Sequence, residues 1–197
     1  MMAGAVWASG AGVRAQSVDG VYGRLGGDLV LSVEAHGGVV STATQSLPAA
    51  GAVLRARTLD MTGLALGYDR ALGGSRYDVL WAAIDLRPAF LARWVSDLQH
   101  GPRWLDLMLD SLGVELGAAW MRPGSEGPQG FGMVFGGGVE LPLVWRRGDG
   151  ATLRLGARYF AVRPWDQQGT GRDDSAVEVT AGIVLRQMTQ AGLVRAP

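Results

Sequence analysis

The side chains able to do chemistry are few, and the most suggestive of them recur at every second residue. Ser32, Glu34 and His36 fall on one parity of the run Tyr22 to His36, so on a strand they share a face. A hydroxyl, a carboxylate and an imidazole are the parts of a nucleophile relay. Residues two apart on a strand lie about 6.5–7 Å apart at Cα, which lets Glu34 reach His36 and leaves Ser32 remote. His36 is expected at the end of its strand, as a rim histidine without a chemical role, and no catalytic residue is assigned. His100 sits in the turn His100-Gly101-Pro102. Two histidines with no acids clustered at ligand spacing, and no cysteine, point away from a metal site, and no cofactor is expected. Arg147-Gly148-Asp149 before Gly150 reads as hairpin-turn chemistry and not as an adhesion signal.

The remaining charge is balanced. All 18 basic residues are arginine and 18 carboxylates offset them, so no net field draws in nucleic acid. Many of these charges alternate with apolar residues. Arg24, Asp28, Glu34, Arg55, Arg57, Asp85, Arg87, Asp106, Asp110, Glu115, Glu140, Arg154, Arg158, Glu178 and Arg186 lie on the parity opposite the apolar one. Both signs occur in similar numbers, which suits cross-strand arginine–carboxylate pairs filling a narrow space. Isolated charges there would be costly, so they must pair.

The elements that position them are strands. Phe131 to Arg146 sets Phe131, Met133, Phe135, Val139, Leu141, Leu143 and Trp145 against Gly132, Gly136, Gly138, Glu140 and Arg146, a two-faced strand. The same period marks Tyr22 to His36, Val53 to Asp69, Tyr77 to Arg87, Ala151 to Trp165 and Ala176 to Met188. Val39 to Leu47 alternates only feebly, between the turn signals His36-Gly37-Gly38 and Pro48-Ala49-Ala50-Gly51. Trp104 to Trp120 alternates with a one-residue slip, which predicts a β-bulge at Ser111-Leu112. Between Ala89 and Gln99 the period changes, and Leu91, Trp94, Val95 and Leu98 predict one short amphipathic helix. Pro142 cannot donate to a ladder and is expected at a bulge near one rim.

Eight strands follow, counting the feeble one. Hydrophobic content is 48%, yet no run reaches the roughly 18 apolar residues of a membrane-spanning helix. In a soluble sheet the apolar parity would pack on a core; in a transmembrane barrel it would touch lipid. Tyr22, Tyr68, Tyr77, Trp104, Trp120, Phe131, Trp145 and Trp165 lie at or near the proposed strand ends, where amphipathic rings form interfacial girdles. Met1 to Ala15 reads as a secretory signal ending in Val13-Arg14-Ala15, with a single domain from 16 to 197.

On strand pattern, girdle and signal-like segment, Tyr22 to Met188 resembles the small eight-stranded outer-membrane β-barrel proteins of Gram-negative bacteria. That family commonly finishes on an aromatic residue. Here Thr189 to Pro197 continue without one, and Thr180, Gly182, Ile183 and Leu185 are only a loose echo of that terminal signal. The resemblance implies an all-β, antiparallel up-and-down transmembrane barrel, located in the outer membrane. A lipid-contacting monomer is expected, while the balanced charge argues against a nucleic-acid partner and the poor geometry of Ser32, Glu34 and His36 against enzymatic activity. Three classes of function stay open: a structural or surface- and lipid-contacting barrel, a lipid-modifying envelope enzyme, and a soluble lipocalin-like carrier.

Overall fold

The computed structural model describes residues 27–43, 45–73, 77–96, 98, 101–123, 129–146, 149–164 and 174–193. The signal-like segment, Tyr22, Arg24, His100 and Trp165 lie outside them. Eight strands form: β1 (Leu29–Thr42), β2 (Ser46–Thr58), β3 (Thr62–Ala71), β4 (Tyr77–Leu86), β5 (Gly113–Pro123), β6 (Gly130–Arg146), β7 (Asp149–Pro164) and β8 (Asp174–Thr189). Each pairs antiparallel with its sequence neighbours. β8 returns to β1 over Leu29↔Thr189 to Thr42↔Ala176, so the barrel closes. Closure leaves no edge strand. One end of the barrel carries the connections at 43–45, 72–76, 124–129 and 165–173. The other carries those at 59–61, 87–112 and 147–148, together with the start of β1 and the end of β8; it is called the terminal end below.

Alternation decides which side chains point where. Leu64 is 64% exposed, Met133 60% and Leu185 61%, while the other parity is buried. Outward positions are apolar or small along most of every strand. Among the described residues, charged groups at outward positions lie at the two ends of the barrel, Arg70, Asp78, Arg122 and Arg163 near the loop end and Asp149 at the terminal end. Leu141 is half-buried on the outward side, Leu143 and Val179 are exposed, and Arg154 and Glu178 are buried. A greasy outside around a charged inside is the inverse of a water-soluble barrel, and its exterior matches a hydrocarbon solvent.

Several boundaries differ from the sequence expectation. β1 runs straight through His36-Gly37-Gly38, with Gly37 opposite Ala50 and Gly38 opposite Ala49. The expected feeble strand Val39 to Leu47 is therefore the tip of a hairpin. Pro48 is tolerated because its carbonyl already faces β3, where it accepts the Leu72 N–H (2.7 Å) beyond the last ladder pair at Ala71. No ladder partner waits there for the N–H that proline lacks.

Val53 to Asp69 is two strands joined by a tight turn. Leu59 (φ 52°) and Asp60 (φ 56°) are both left-handed, and the Met61 N–H bonds the Thr58 carbonyl at 3.0 Å. Two consecutive positive φ values make the hairpin turn that usually takes Asn-Gly. Leu-Asp carries no such signal, so periodicity alone could not find it.

The connection from β4 to β5 is the largest correction. α1 (Pro88–Val95) replaces the helix expected at 89–99. A second helix, α2 (Arg103–Asp110), occupies the first half of the expected strand Trp104 to Trp120. The slip at Ser111-Leu112 is thus the end of a helix and not a bulge. Leu105, Leu107 and Leu109 do alternate, but the fully buried residues of α2 are Asp106, Leu107 and Asp110, a helical spacing. Residues 103–112 include no β-branched side chain, the composition that favours helix over strand.

Pro142 lies where the β6–β7 register shifts, between Pro142 and Val144. Its other flank faces no strand, because the β5 ladder ends at Gly113↔Gly138. There Ser111 Oγ accepts the Glu140 N–H at 2.7 Å, so the end of the helical connection covers the bare edge of β6.

Candidate functional site

The barrel wall aims its buried charges at one another. Glu115 on β5 is the hub: Arg55 Nη2 and Arg154 Nη2 each donate to its Oε1 at 2.9 Å, and Arg158 Nε donates to Oε2 at 3.0 Å. Arg55 also pairs with Glu34 at 2.5 Å. Nearer the terminal end, Arg57 donates to Asp85 (2.9 Å), and Glu140 takes Arg87 and Arg154. Asp60 takes Arg87 and Arg186, each at 3.1 Å. All of these side chains are within 2% of fully buried. Such pairs attract strongly in a dry interior, which offsets the cost of taking them out of water.

Of the sequence-derived lumen residues, Glu34, Arg55, Arg57, Asp85, Arg87, Glu115, Glu140, Arg154, Arg158, Glu178 and Arg186 are all buried in this interior. Asp28 is buried at the terminal end and accepts the Ala191 and Leu193 N–H groups. Asp106 and Asp110 are corrections. They lie on α2 and not on the wall, where Arg93 of α1 pairs with both, bonding Asp110 at 2.8 Å. That clamp, with Phe90 and Leu107 buried beneath it, holds the two helices together at the terminal end. Asp60 was missed because its turn was missed.

Beyond the arginine network, toward the loop end, stands a second cluster. His36 is mid-strand and buried, not at a rim. Its Nδ1 lies 3.1 Å from Glu34 Oε1 and its Nε2 2.6 Å from Asp69 Oδ1. The Trp81 indole N–H donates to Asp69 Oδ2 at 2.6 Å, and Arg158 lies over the Trp81 ring at 4.4 Å. Arg158 also reaches Glu178 at 3.3 Å. Gly67 makes the indole's position tenable, since a Cβ there would come within 2.1 Å of the ring. The expectation that no acids gather around a histidine is also corrected. A ring nitrogen of His36 and one oxygen each of Asp69 and Glu178 lie within 4.8 Å of one another. Three non-consecutive strands supply them, so spacing in the chain could not show it. Ser32 is buried four residues from His36, about 13 Å along the strand, and the two do not form a relay.

Above this cluster the interior turns apolar. Val40, Ala71, Val79, Met121, Phe160, Val162 and Ala176, all near the loop ends of their strands, are buried together. Among the aromatics expected at strand ends, Tyr68 and Phe131 face outward at the loop end, and the Tyr68 hydroxyl donates to Asp78 at 3.0 Å. Trp120 is half-buried there, with Arg122 stacked at 5.3 Å. Tyr77 and Trp145 are described by backbone alone, near the loop end of β4 and the terminal end of β6. Trp104 is a correction, exposed on α2 and not on a strand.

An up-and-down barrel of eight strands, apolar without and ion-paired within, defines a membrane-spanning β-barrel. No protein-family model and no curated protein matches the chain. Among solved structures, it is similar to Neisserial surface protein A, at 14% identity and a TM-score of 0.46, over 80% of this chain and 96% of that one. It is also similar to the N-terminal β-barrel domain of OprF from Pseudomonas aeruginosa, at 12% identity and a TM-score of 0.49, over 82% and 98%. For the outer membrane protein OprG of the same organism the values are 10% and 0.43, over 83% and 97%.

Proposed function

We propose that this chain is an integral outer-membrane barrel with a solute-tight lumen, serving as a structural or surface- and lipid-contacting element. The carrying observation is the inverted polarity: outward positions are uncharged between the Arg70, Arg122 and Arg163 rim and the terminal end, while the interior charges pair with one another. An even strand number and closure by hydrogen bonding fit the outer-membrane type of barrel. The side with the short hairpin turns and both ends of the barrel sheet would face the periplasm. Tyr68, Trp120 and Phe131 would then lie at the outer interface, beside the arginines.

A pore is disfavoured because eight strands leave room only for side chains, and here those side chains are tied to one another. A soluble carrier is disfavoured by the charged interior. A lipid-modifying enzyme needs a histidine nitrogen free to take a proton, whereas both His36 nitrogens face carboxylates.

The test is fractionation of cells carrying a tagged copy, with reconstitution of the purified chain into planar bilayers. The expected result is recovery from outer membranes only with detergent, heat-modifiable migration on a gel, and no stepwise conductance. Recovery of a folded monomer without detergent, or steady single-channel steps, would contradict it. His36→Ala should leave lipid A masses unchanged, and an altered mass spectrum would favour the enzyme.

A further inference from the structure

We propose that His36, Asp69 and Glu178 form an internal binding site for one divalent first-row transition cation, with zinc the best fit. The three side chains come from β1, β3 and β8, and their donor atoms already lie within 4.8 Å of one another. One imidazole nitrogen and two carboxylate oxygens make a donor set that Zn2+ accepts, with a fourth position left for water. Zinc–donor bonds of about 2.0–2.2 Å put tetrahedral donors somewhat over 3 Å apart. His36 Nε2 and Asp69 Oδ1, now at 2.6 Å, need only part by a fraction of an ångström. The cation takes the place of the proton they share, and that proton leaves to solvent.

Two further observations point to a ligand and not to an ordinary ion pair. The first is the outer shell. Metal-bound histidines commonly give their other ring N–H to a carboxylate, and metal-bound carboxylates are themselves hydrogen-bonded. Here Glu34 faces His36 Nδ1, the Trp81 N–H holds Asp69 Oδ2, and Arg158 holds Glu178 Oε2. Each ligand thus has one atom facing an outer neighbour and one turned to the cluster, where His36 Nε2 and Asp69 Oδ1 hold each other and Glu178 Oε1 has no partner. The second is a buried carboxylate oxygen left without a partner beside a carboxylate that only the imidazole faces as a cation. Among the described residues no guanidinium lies within ion-pair distance of Asp69. Glu178 Oε1, in a side chain 1% exposed, has no hydrogen-bond partner. Space is kept as well: a Cβ at Gly51 would stand 2.1 Å from Asp69 Oδ1 and 2.6 Å from His36 Nε2, on the spot between the two ligands.

The untagged full chain, denatured and freed of metal with a chelator, is refolded into detergent micelles in the presence of Zn2+ alone, so that the ion meets its ligands before the barrel closes, and is then desalted. One zinc per chain should be retained by elemental analysis, and Co2+ in its place should give the intense visible absorption of a four-coordinate site. Glu178→Gln should abolish retention while heat-modifiable migration persists. Trp81→Phe keeps the ring and removes only the N–H on Asp69; it should weaken Zn2+ binding by about 10–100-fold, which a purely structural cluster would not do. If Glu178→Gln fails to fold, the Trp81→Phe affinity and the wild-type Co2+ spectrum decide the matter. A folded wild-type barrel that retains no zinc overturns the proposal. So does zinc retained equally by wild type and both variants.

Discussion

The two halves of the lumen are filled by different physics. Toward the terminal end, six arginines interlock with the carboxylates of Glu34, Asp60, Asp85, Glu115 and Glu140. Toward the loop end, Phe160, Met121, Val79 and their neighbours fill the bore by apolar packing. Dispersion contacts tolerate local repacking, whereas a buried ion-pair lattice fails when one member is lost. The chemically mixed cluster of His36, Asp69, Trp81 and Glu178 lies where the two regimes meet. A barrel interior therefore has no need to be polar throughout, provided its exterior is apolar over the belt between its charged rims.

That contrast also explains which parts of the molecule were legible in the sequence. Where charge faces inward, parity is unmistakable, and Arg55, Arg57, Glu115, Arg154 and Arg158 could be assigned to the interior from alternation alone. Where the interior is apolar, both faces of the strand are greasy and the period fades. Val40 and Ala49 point inward in such a stretch, and there the sequence offered only a feeble strand around 39–47. The hairpin at Leu59-Asp60 was hidden for another reason: its left-handed residues are not the usual Asn or Gly, and the lumen partners of Asp60 hold it in place. The α2 segment was hidden because three alternating leucines fit a strand as well as a helix. The grouping of His36 with Asp69 and Glu178 depends on register between distant strands, which no local pattern encodes.

Breaking the charged half should have the larger effect. Glu115→Ala leaves Arg55, Arg154 and Arg158 without their common partner, a loss of about 3–5 kcal/mol for a buried pair broken on one side. Urea unfolding in lipid vesicles should show a lowered midpoint. Phe160→Ala, on the apolar side, should cost about 3 kcal/mol as a cavity, measured the same way. Its effect should leave the ion-pair region intact, so a double variant with Glu115→Ala should be close to additive. Gly67→Ala pushes against the Trp81 ring at the boundary and should destabilise by about 1–3 kcal/mol through overpacking, with a shift in tryptophan fluorescence. Arg93→Ala should have the smallest effect on barrel stability, because the pairs it breaks, with Asp106 and Asp110, lie in the helical connection and not in the wall. It should nevertheless speed proteolysis in the connection between the two helices, since the clamp on Asp106 and Asp110 is gone.

The claim beneath all of this is that the apolar parity meets lipid. The chain has no cysteine, so Leu66→Cys and Leu185→Cys each give a single labelling site on the exterior. A nitroxide at either position, in the refolded barrel in lipid vesicles, should collide freely with dissolved oxygen and be shielded from a water-soluble nickel chelate. Free access of the nickel chelate to both sites, in a barrel that still migrates as folded, would contradict the account.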